Sequence, residues 1–299
     1  MPLFEPKLKG SVDMFAKHLD QQEVRYQISQ IKEIPPLPQS VQRLIQIMQD
    51  EIESAEELES IICYDQALAA KVLRAANSTY YGSRGQVKQI SRAIVLIGFN
   101  QVRSICLCTL LVNLLSNGWR IDPPQRESLW KHAYATSKIA IEISKKRPWL
   151  NRGEAAMLGL MHDIGHLVMA AYFPEQFTVI VNTALRRNSP IFWVEIEAGL
   201  LHTEIGRYLA MRWALPESYQ AVIEYHHSPD SSKFFKSEVK MIHLADVLSN
   251  SRSYPNLLTD EATLSCCREL YISEDEWQEY QNGLDIIWLE VDQLWNLLK

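Results

Sequence analysis

Hydrophobic positions along this chain recur at three- and four-residue steps. No stretch shows sustained alternation between turn signals, so the pattern predicts an all-α protein with no sheet. Residues 1–33 read as a short helical lead-in (VDMFAKHLDQQEVRYQISQI) with His18 alone at its surface. The segment IPPLPQS (34–40) stops it, because consecutive prolines exclude helix from the residues before them. From Ser40 a helix through VQRLIQIMQD places Val41, Leu44, Ile45 and Met48 on one face. Ser54 and Glu57 form a capping box for LESIICYDQALAAKVLRAANS. That stretch is broken near Asp65, which can cap a second helix with Leu68, Val72 and Leu73 on its apolar face. Asn77-Ser78 ends it, and Tyr80, Tyr81, Gly82 and Gly85 mark a loop. Ile90-Ser91 opens the next helix and Gly98 stops it. Asn100 then caps QVRSICLCTLLVNLL, which is apolar nearly all round and so belongs at the centre of a core.

The character of the chain changes after Gly118. IDPPQ is a break, and it divides a helical subdomain over 34–118 from a second bundle over 119–250, with a C-terminal helical extension over 251–299. From Glu127 the helices carry histidine. LWKHAYATSKIAIEISKK holds His132, with Trp130, Tyr134, Ile139 and Ile143 as packing partners. Asn151 to Glu154 is a capping signal for GEAAMLGLMHDIGHLVMAAYF, in which Gly159 and Gly165 permit close helix packing or a kink beside His162-Asp163. IFWVEIEAGLLHTEIGRYLAMRW after Pro190 reads as one long helix bearing His202. Pro216 suits the first turn of PESYQAVIEYHH, which Ser228-Pro229 ends. Glu238 to Asn250 is a helix with His243 and Asp246, and Ser273 with Glu276 caps the last helix before Trp277. The aromatic and leucine content of that last helix suits either packing on its own bundle, the more ordinary outcome, or a docking or dimer face.

Composition changes this picture little. The 299 residues are 47% hydrophobic and 22% charged, with a net charge of −6, which disfavours direct nucleic-acid binding. The five cysteines (Cys63, Cys106, Cys108, Cys266 and Cys267) contain no metal-type CxxC pair and read as reduced thiols. Charge and proline interrupt any apolar core at the N-terminus, and the longest apolar run, Ile105–Leu115, is too short to span a bilayer and contains Asn113. A cytoplasmic protein without membrane contact is expected.

The histidines carry the candidate chemistry. Seven of the eight fall between residues 132 and 246: His132, His162, His166, His202, His226, His227 and His243. With Asp163 and Asp246 they offer the imidazole and carboxylate mixture suited to one or two iron, manganese or zinc ions. His162 and His166, four apart, share one face of a helix, whereas Asp163 lies about 100° round from His162. Both members of His162-Asp163 can reach a metal only if the helix ends or bends there. Satisfied buried histidines and capping aspartates are the competing reading.

HDIG, with a histidine upstream on a helix and HLAD downstream, resembles the HD superfamily of metal-dependent phosphohydrolases. The closer resemblance is to the HDOD domain, a bacterial signalling relative. It rests on PPLPQSVQRL, YDQALAAKVLRAANSTYYG, ISRAIVLIGFNQVRSI, LGLMHDIGH, LHTEIGRYLAMRWALPESYQAVIEYHHSP and VKMIHLADVLS, and covers about Ile34 to Asn250. Gln66 departs from the family, where proline usually follows the aspartate. The resemblance implies an N-terminal helical subdomain on an HD-like bundle and a signalling role through protein partners or a nucleotide ligand, with little or no catalysis. The alternative is a phosphohydrolase acting on a nucleotide or cyclic dinucleotide. Carried over from the related HD-GYP phosphodiesterases, the metal ligands would be His132, His162, Asp163, His202, His226, His227 and Asp246. His243 has no ligand counterpart and reads as a buried structural histidine. His166 stands where those enzymes have a phosphate-binding lysine, and Ser128 where some have a glutamate for a third metal. The loop SPDSSKFFKSEV lacks the glycine that brings backbone amides up to a phosphate. Lys131, Lys138, Arg207 and Arg212 are near the ligands in sequence and are candidate phosphate contacts, with solvated surface charge as the competing reading.

Overall fold

Ser54 and Asp65 start the first packed helices in the way their side chains dictate. The computed structural model describes residue 37 and residues 39–46, 54–78, 81, 86–116 and 123–298. The lead-in over 1–33 with His18, most of the proline strap, Met48, and Tyr80, Gly82, Gly85 and Gly118 lie outside the described residues. Helix α1 (Gln39–Gln46) buries Val41, Leu44 and Ile45. Ser54 Oγ accepts from the Glu57 amide at 3.1 Å and opens α2 (Ala55–Tyr64). Asp65 accepts from the Leu68 amide at 3.0 Å, ends α2 and starts α3 (Gln66–Ala76). Asn77 then bridges back across the loop, donating to the Val87 carbonyl and accepting from the Val87 amide at 2.8 and 2.7 Å. Helix α4 (Ile90–Ile97) ends at Gly98, whose φ of 96° is closed to most side chains. Helix α5 (Phe99–Ser116) follows, and Asn100 lies inside its first turn instead of capping it.

The second half packs around α6 (Pro123–Lys145), α7 (Arg152–Met161) and α13 (Lys236–Asn250). Asn151 caps α7 by accepting from the Glu154 amide at 3.0 Å. The predicted helix through HDIGH is broken: α7 ends at Met161, His162 and Asp163 form a turn, and α8 runs over Ile164–Tyr172. Helix α9 (Pro174–Arg187) closes on Asn188, in the left-handed conformation. The expected long helix after Pro190 is two helices, α10 (Ile191–Ala198) and α11 (His202–Arg212). Gly199 takes φ 71°, and the Leu200 amide turns back to the Glu195 carbonyl at 3.1 Å, so the chain reverses its helical course just before His202. Pro216 stands at the cap of α12 (Glu217–Tyr225), one position before its first turn. Helices α14 (Glu261–Glu269) and α15 (Glu274–Leu298) complete the chain, with the Glu276 amide donating to Ser273 Oγ at 3.2 Å.

No strand is present among the described residues. One continuous apolar core runs from Leu37 to Leu294 and joins α5 to α6, α7 and α8. Helix α15 packs on α6, α13 and α3, so its aromatic face is largely spent on its own chain, with Trp277, Tyr280 and Val291 buried. The buried guanidinium of Arg147 stitches it there. Its Nε donates to the Leu270 carbonyl at 2.9 Å, and its Nη1 to the Ile143 carbonyl, Glu276 and Tyr280 at 2.8–3.2 Å. Among the described residues no single helix is long and apolar enough to cross a membrane. Helices α4 and α5 are apolar enough together but meet at a 109° bend.

Candidate metal centre

The break at His162-Asp163 turns two neighbouring side chains into one cavity. Asp163 occupies the cap position of α8 but makes no capping hydrogen bond, so its carboxylate is turned away from the helix end and toward the imidazoles. Its Oδ1 lies 3.1 Å from His202 Nε2 and 3.4 Å from both His162 Nε2 and His226 Nε2. Its Oδ2 lies 3.4 Å from His132 Nε2. Asp246, from the middle of α13, sets Oδ1 3.1 Å from His132 Nε2 and 3.7 Å from His162 Nε2, and Oδ2 3.7 Å from His227 Nδ1. Asp163 therefore stands between two groups. His132, His162 and Asp246 are on one side, and His202, His226 and His227 on the other.

Tautomers decide what these groups can do. His162 Nδ1 is 2.8 Å from the Gly159 carbonyl, and His226 Nδ1 is 3.0 Å from the Val222 carbonyl. Carbonyls only accept, so both Nδ1 atoms carry hydrogen and both Nε2 atoms present lone pairs to the centre. Glu195 Oε2 does the same for His202, accepting from Nδ1 at 2.5 Å and from the backbone amide at 3.0 Å. Ser249 Oγ, 2.9 Å from His132 Nδ1, can accept from the fourth ring. The inward Nε2 atoms then meet in pairs, His132 with His162 at 3.2 Å and His202 with His226 at 3.3 Å. Two lone pairs at that distance repel unless a proton or a cation lies between them. Asp163 Oδ1, buried among three such nitrogens, makes no hydrogen bond of ordinary geometry. A donor set of this kind fits divalent cations better than it fits itself, with outer hydrogen bonds orienting each ring.

Without cations, protons must fill the gap. Burial opposes charge on His132, but Asp163 and Asp246 outweigh it and lift its pKa to about 9. Burial likewise opposes charge on His166, and Asp163 with Glu195 lifts it to about 10. His202 is also raised, against burial, chiefly by Glu195. Both aspartates resist the pull of burial and stay well below the ordinary carboxylate range because histidines face them. Burial drives His226 and His227 down, so these two rings stay neutral. Coordination through His132 Nε2 has to expel a proton that is still bound at pH 7. Metal loading at pH 7 is therefore expected to release protons, and apparent affinity to rise roughly tenfold per pH unit per proton up to about pH 9. Calorimetric titration in buffers of different ionisation heat checks this.

Three further residues matter, and sequence reasoning passed over one of them. His166 Nε2 is 2.7 Å from Glu195 Oε1, and its ring lies tilted by 33° against His202 at 4.0 Å between centroids. Glu195, fully buried, thus ties His166 and His202 together through both carboxylate oxygens. It occurs as an ordinary glutamate in WVEIEAG, and its only signal is a charge between two apolar neighbours, Val194 and Ile196. His243 is buried with Nδ1 2.7 Å from the His226 carbonyl, which holds the backbone of that residue in place.

A cavity of about 590 Å³ opens onto the centre, with His132, Asp163, His166, His227 and Asp246 at its floor. Of the four candidate phosphate contacts only Lys131 lines it, and Lys131 is paired with Glu127 and Asp292 at 2.6 and 2.8 Å. Lys138 pairs with Glu290 at 2.7 Å, Arg207 with Glu224 at 2.6 Å, and Arg212 lies over the Tyr208 ring. Ser128 lines the cavity rim.

Comparison with known proteins agrees with this architecture. The chain superposes on a crystal structure of an HDOD domain protein of unknown function from Geobacter sulfurreducens with TM-score 0.76 at 24% identity, covering 92% of this chain and 97% of that one. A candidate signal transduction protein of Marinobacter aquaeolei VT8 gives 0.77 at 22% identity, covering 96% and 66%. A candidate phosphohydrolase of Shewanella amazonensis SB2B gives 0.68 at 20% identity, covering 92% and 98%. An uncharacterized protein of Treponema pallidum (strain Nichols) is 25% identical over 225 residues, and the chain spans about two-fifths of the length of that relative (73% of this chain, 42% of the other). The HDOD domain family model matches residues 34–229. By that match, and by the all-helical fold it shares with these structures, the chain belongs to the HDOD domain family.

Proposed function

We propose that this HDOD protein is a signalling module whose state is set by one or two divalent ions (iron, manganese or zinc) and by a phosphate-bearing small ligand in the cavity beside them. Its output passes through protein partners, with little or no turnover. One observation carries the reading: four imidazoles anchored through Nδ1 face their Nε2 atoms toward the Asp163 carboxylate, three of them around its unsatisfied Oδ1 and His132 at Oδ2. His132, His162, Asp163 and Asp246 would hold one ion, and Asp163, His202, His226 and His227 the other. Such ions supply Lewis acidity and lower the pKa of bound water. The residues themselves orient the ligand atoms, and the buried carboxylates offset the charge. On this reading residues 34–118 and 251–299 flank a ligand-responsive bundle over 119–250.

The second reading is a metal-dependent phosphohydrolase, favoured by the cavity that opens onto the centre. Against fast turnover stands the absence, among the described cavity residues, of a cation without a carboxylate partner. His166, in the position of the related enzymes' lysine, is committed to Glu195. Elemental analysis of protein purified without added metal tests the shared premise. About one or two iron, manganese or zinc ions per chain are expected, and none in the His162→Ala/Asp163→Ala variant. Absence of metal from both proteins refutes the reading. Rapid metal-dependent hydrolysis of nucleotides or cyclic dinucleotides selects the second reading over the first.

A further inference from the structure

The cavity beside the metal centre is two-faced, and its charges are already matched. One wall, from α9 and the start of α10, is built of Phe177, Val181, Ala184, Leu185, Ile191 and Phe192. Phe192 stacks on His227 at 4.0 Å between centroids, so this apolar wall begins directly at the floor. Tyr254, which donates its hydroxyl to the Ser189 carbonyl at 3.0 Å, and Trp288, which lies against Arg252, add aromatic side chains to the lining. Beyond the histidines of the floor, the basic side chains that line the cavity are Lys131 and Arg252. Lys131 is held by Glu127 and Asp292, and Arg252 by Asp285. Three carboxylates thus pair with these two cations. A second anionic group on a ligand would find no uncompensated positive charge there, and desolvating an unpaired charge is costly.

We infer that the ligand of this cavity is a phosphomonoester carrying a single uncharged, apolar or aromatic group: the phosphate lies against the His/Asp floor and the apolar group against the α9–α10 wall. This rests on the proposed metal-dependent phosphate binding and narrows it, since it disfavours cyclic dinucleotides and polyphosphates. The volume suits such a molecule, because small-ligand pockets of about 300–1,000 Å³ bury most of what they bind.

The test is calorimetric titration of the full, manganese-loaded chain with phenyl phosphate, ribose 5-phosphate, inorganic phosphate and a cyclic dinucleotide. The first two share a head group and differ in the polarity of the tail. Phenyl phosphate is expected to bind about thirtyfold more tightly than ribose 5-phosphate, about 2 kcal/mol at 1.4 kcal/mol per factor of ten. The cyclic dinucleotide should bind no better than inorganic phosphate. Val181→Asp should remove the phenyl preference and leave inorganic phosphate binding unchanged. Leu185→Glu, at a side chain 69% exposed and therefore harmless to folding, should weaken the same preference. Equal binding of the two monoesters, tighter binding of the cyclic dinucleotide, or a phenyl preference that survives both variants overturns the inference alone. A metal-loaded chain that binds no phosphate probe, inorganic phosphate included, overturns the reading beneath it as well. So does a chain that takes up no manganese, which elemental analysis shows before any titration.

Discussion

Gly165→Ala is expected to destabilise the protein by about 3 kcal/mol, the upper end of the usual cost of overpacking, and to loosen the metal centre with it. A Cβ on Gly165 would meet the His202 carbonyl oxygen at 1.9 Å, the His202 carbonyl carbon at 2.7 Å and the Gly206 amide nitrogen at 3.0 Å. All three are backbone atoms, so no side chain can rotate away. Helices α8 and α11 would have to part at the place where Asp163 and His166 meet His202. For a chain of this length the cost corresponds to a fall in Tm of roughly 6 °C. Gly283→Ala is the matched control, because nothing lies within 4 Å of its added Cβ. Inside α15 that change should stabilise by about 0.5–1 kcal/mol. Thermal melts of both variants, with and without chelator, check the pair. An unchanged Tm and an unchanged chelator response in Gly165→Ala would mean that this crossing is not as tight as its geometry.

What was legible in the sequence was local. Ser54, Asp65, Asn151 and Ser273 cap their helices because a short polar side chain and a nearby backbone amide need nothing else. The all-α class, and the proximity of seven histidines and two aspartates, were legible for a similar reason: period and composition are properties of the chain itself. The bend at His162-Asp163 could be stated only as a condition, since two adjacent residues reach one point only if the helix ends there. The break at Gly199 was not legible, because the apolar period of IFWVEIEAGLLHTEI continues across it and a helix-internal glycine is tolerated at modest cost. Glu195 was hidden for a tertiary reason, since a buried carboxylate and a solvated one are the same letter.

The four candidate cations show what nearness in sequence leaves out. Arg207 follows His202 by five residues, about 500° of helical turn, so it points away from the face that carries the histidine. It meets Glu224 on the outside of the bundle instead. Lys138 follows His132 by six residues and is likewise turned off the ligand face, toward Glu290. Lys131 reaches the cavity but brings two carboxylate partners with it.

Glu195→Ala should produce the second large effect. The substitution leaves Nδ1 and the backbone amide of His202 and Nε2 of His166 without their acceptor in a site closed to water. Breaking a buried charged network from one side costs about 3–5 kcal/mol. Loss of an outer hydrogen bond to a metal-binding histidine weakens metal affinity about 10- to 100-fold. Glu195→Gln separates the two causes. A glutamine carbonyl can still accept from His202, and its amide can donate to His166 Nε2 once that nitrogen gives up its proton and the ring keeps the one on Nδ1, 3.3 Å from Asp163 Oδ2. The hydrogen-bond partners survive, and what is lost is the carboxylate charge together with the His166 proton it holds. Glu195→Gln should therefore keep most of the stability and still weaken metal binding, because His202 no longer gains electron density from a carboxylate behind it. The sign follows from the pKa of His202, which Glu195 raises against burial. Without that charge the ring is a poorer base and a poorer ligand. Competition against a chromophoric chelator, run alongside thermal melts, resolves the outcome. A glutamine variant equal to wild type in metal affinity would reduce Glu195 to a structural brace, whereas one as weak as alanine in both measurements would show that charge, not geometry, holds the two histidines together.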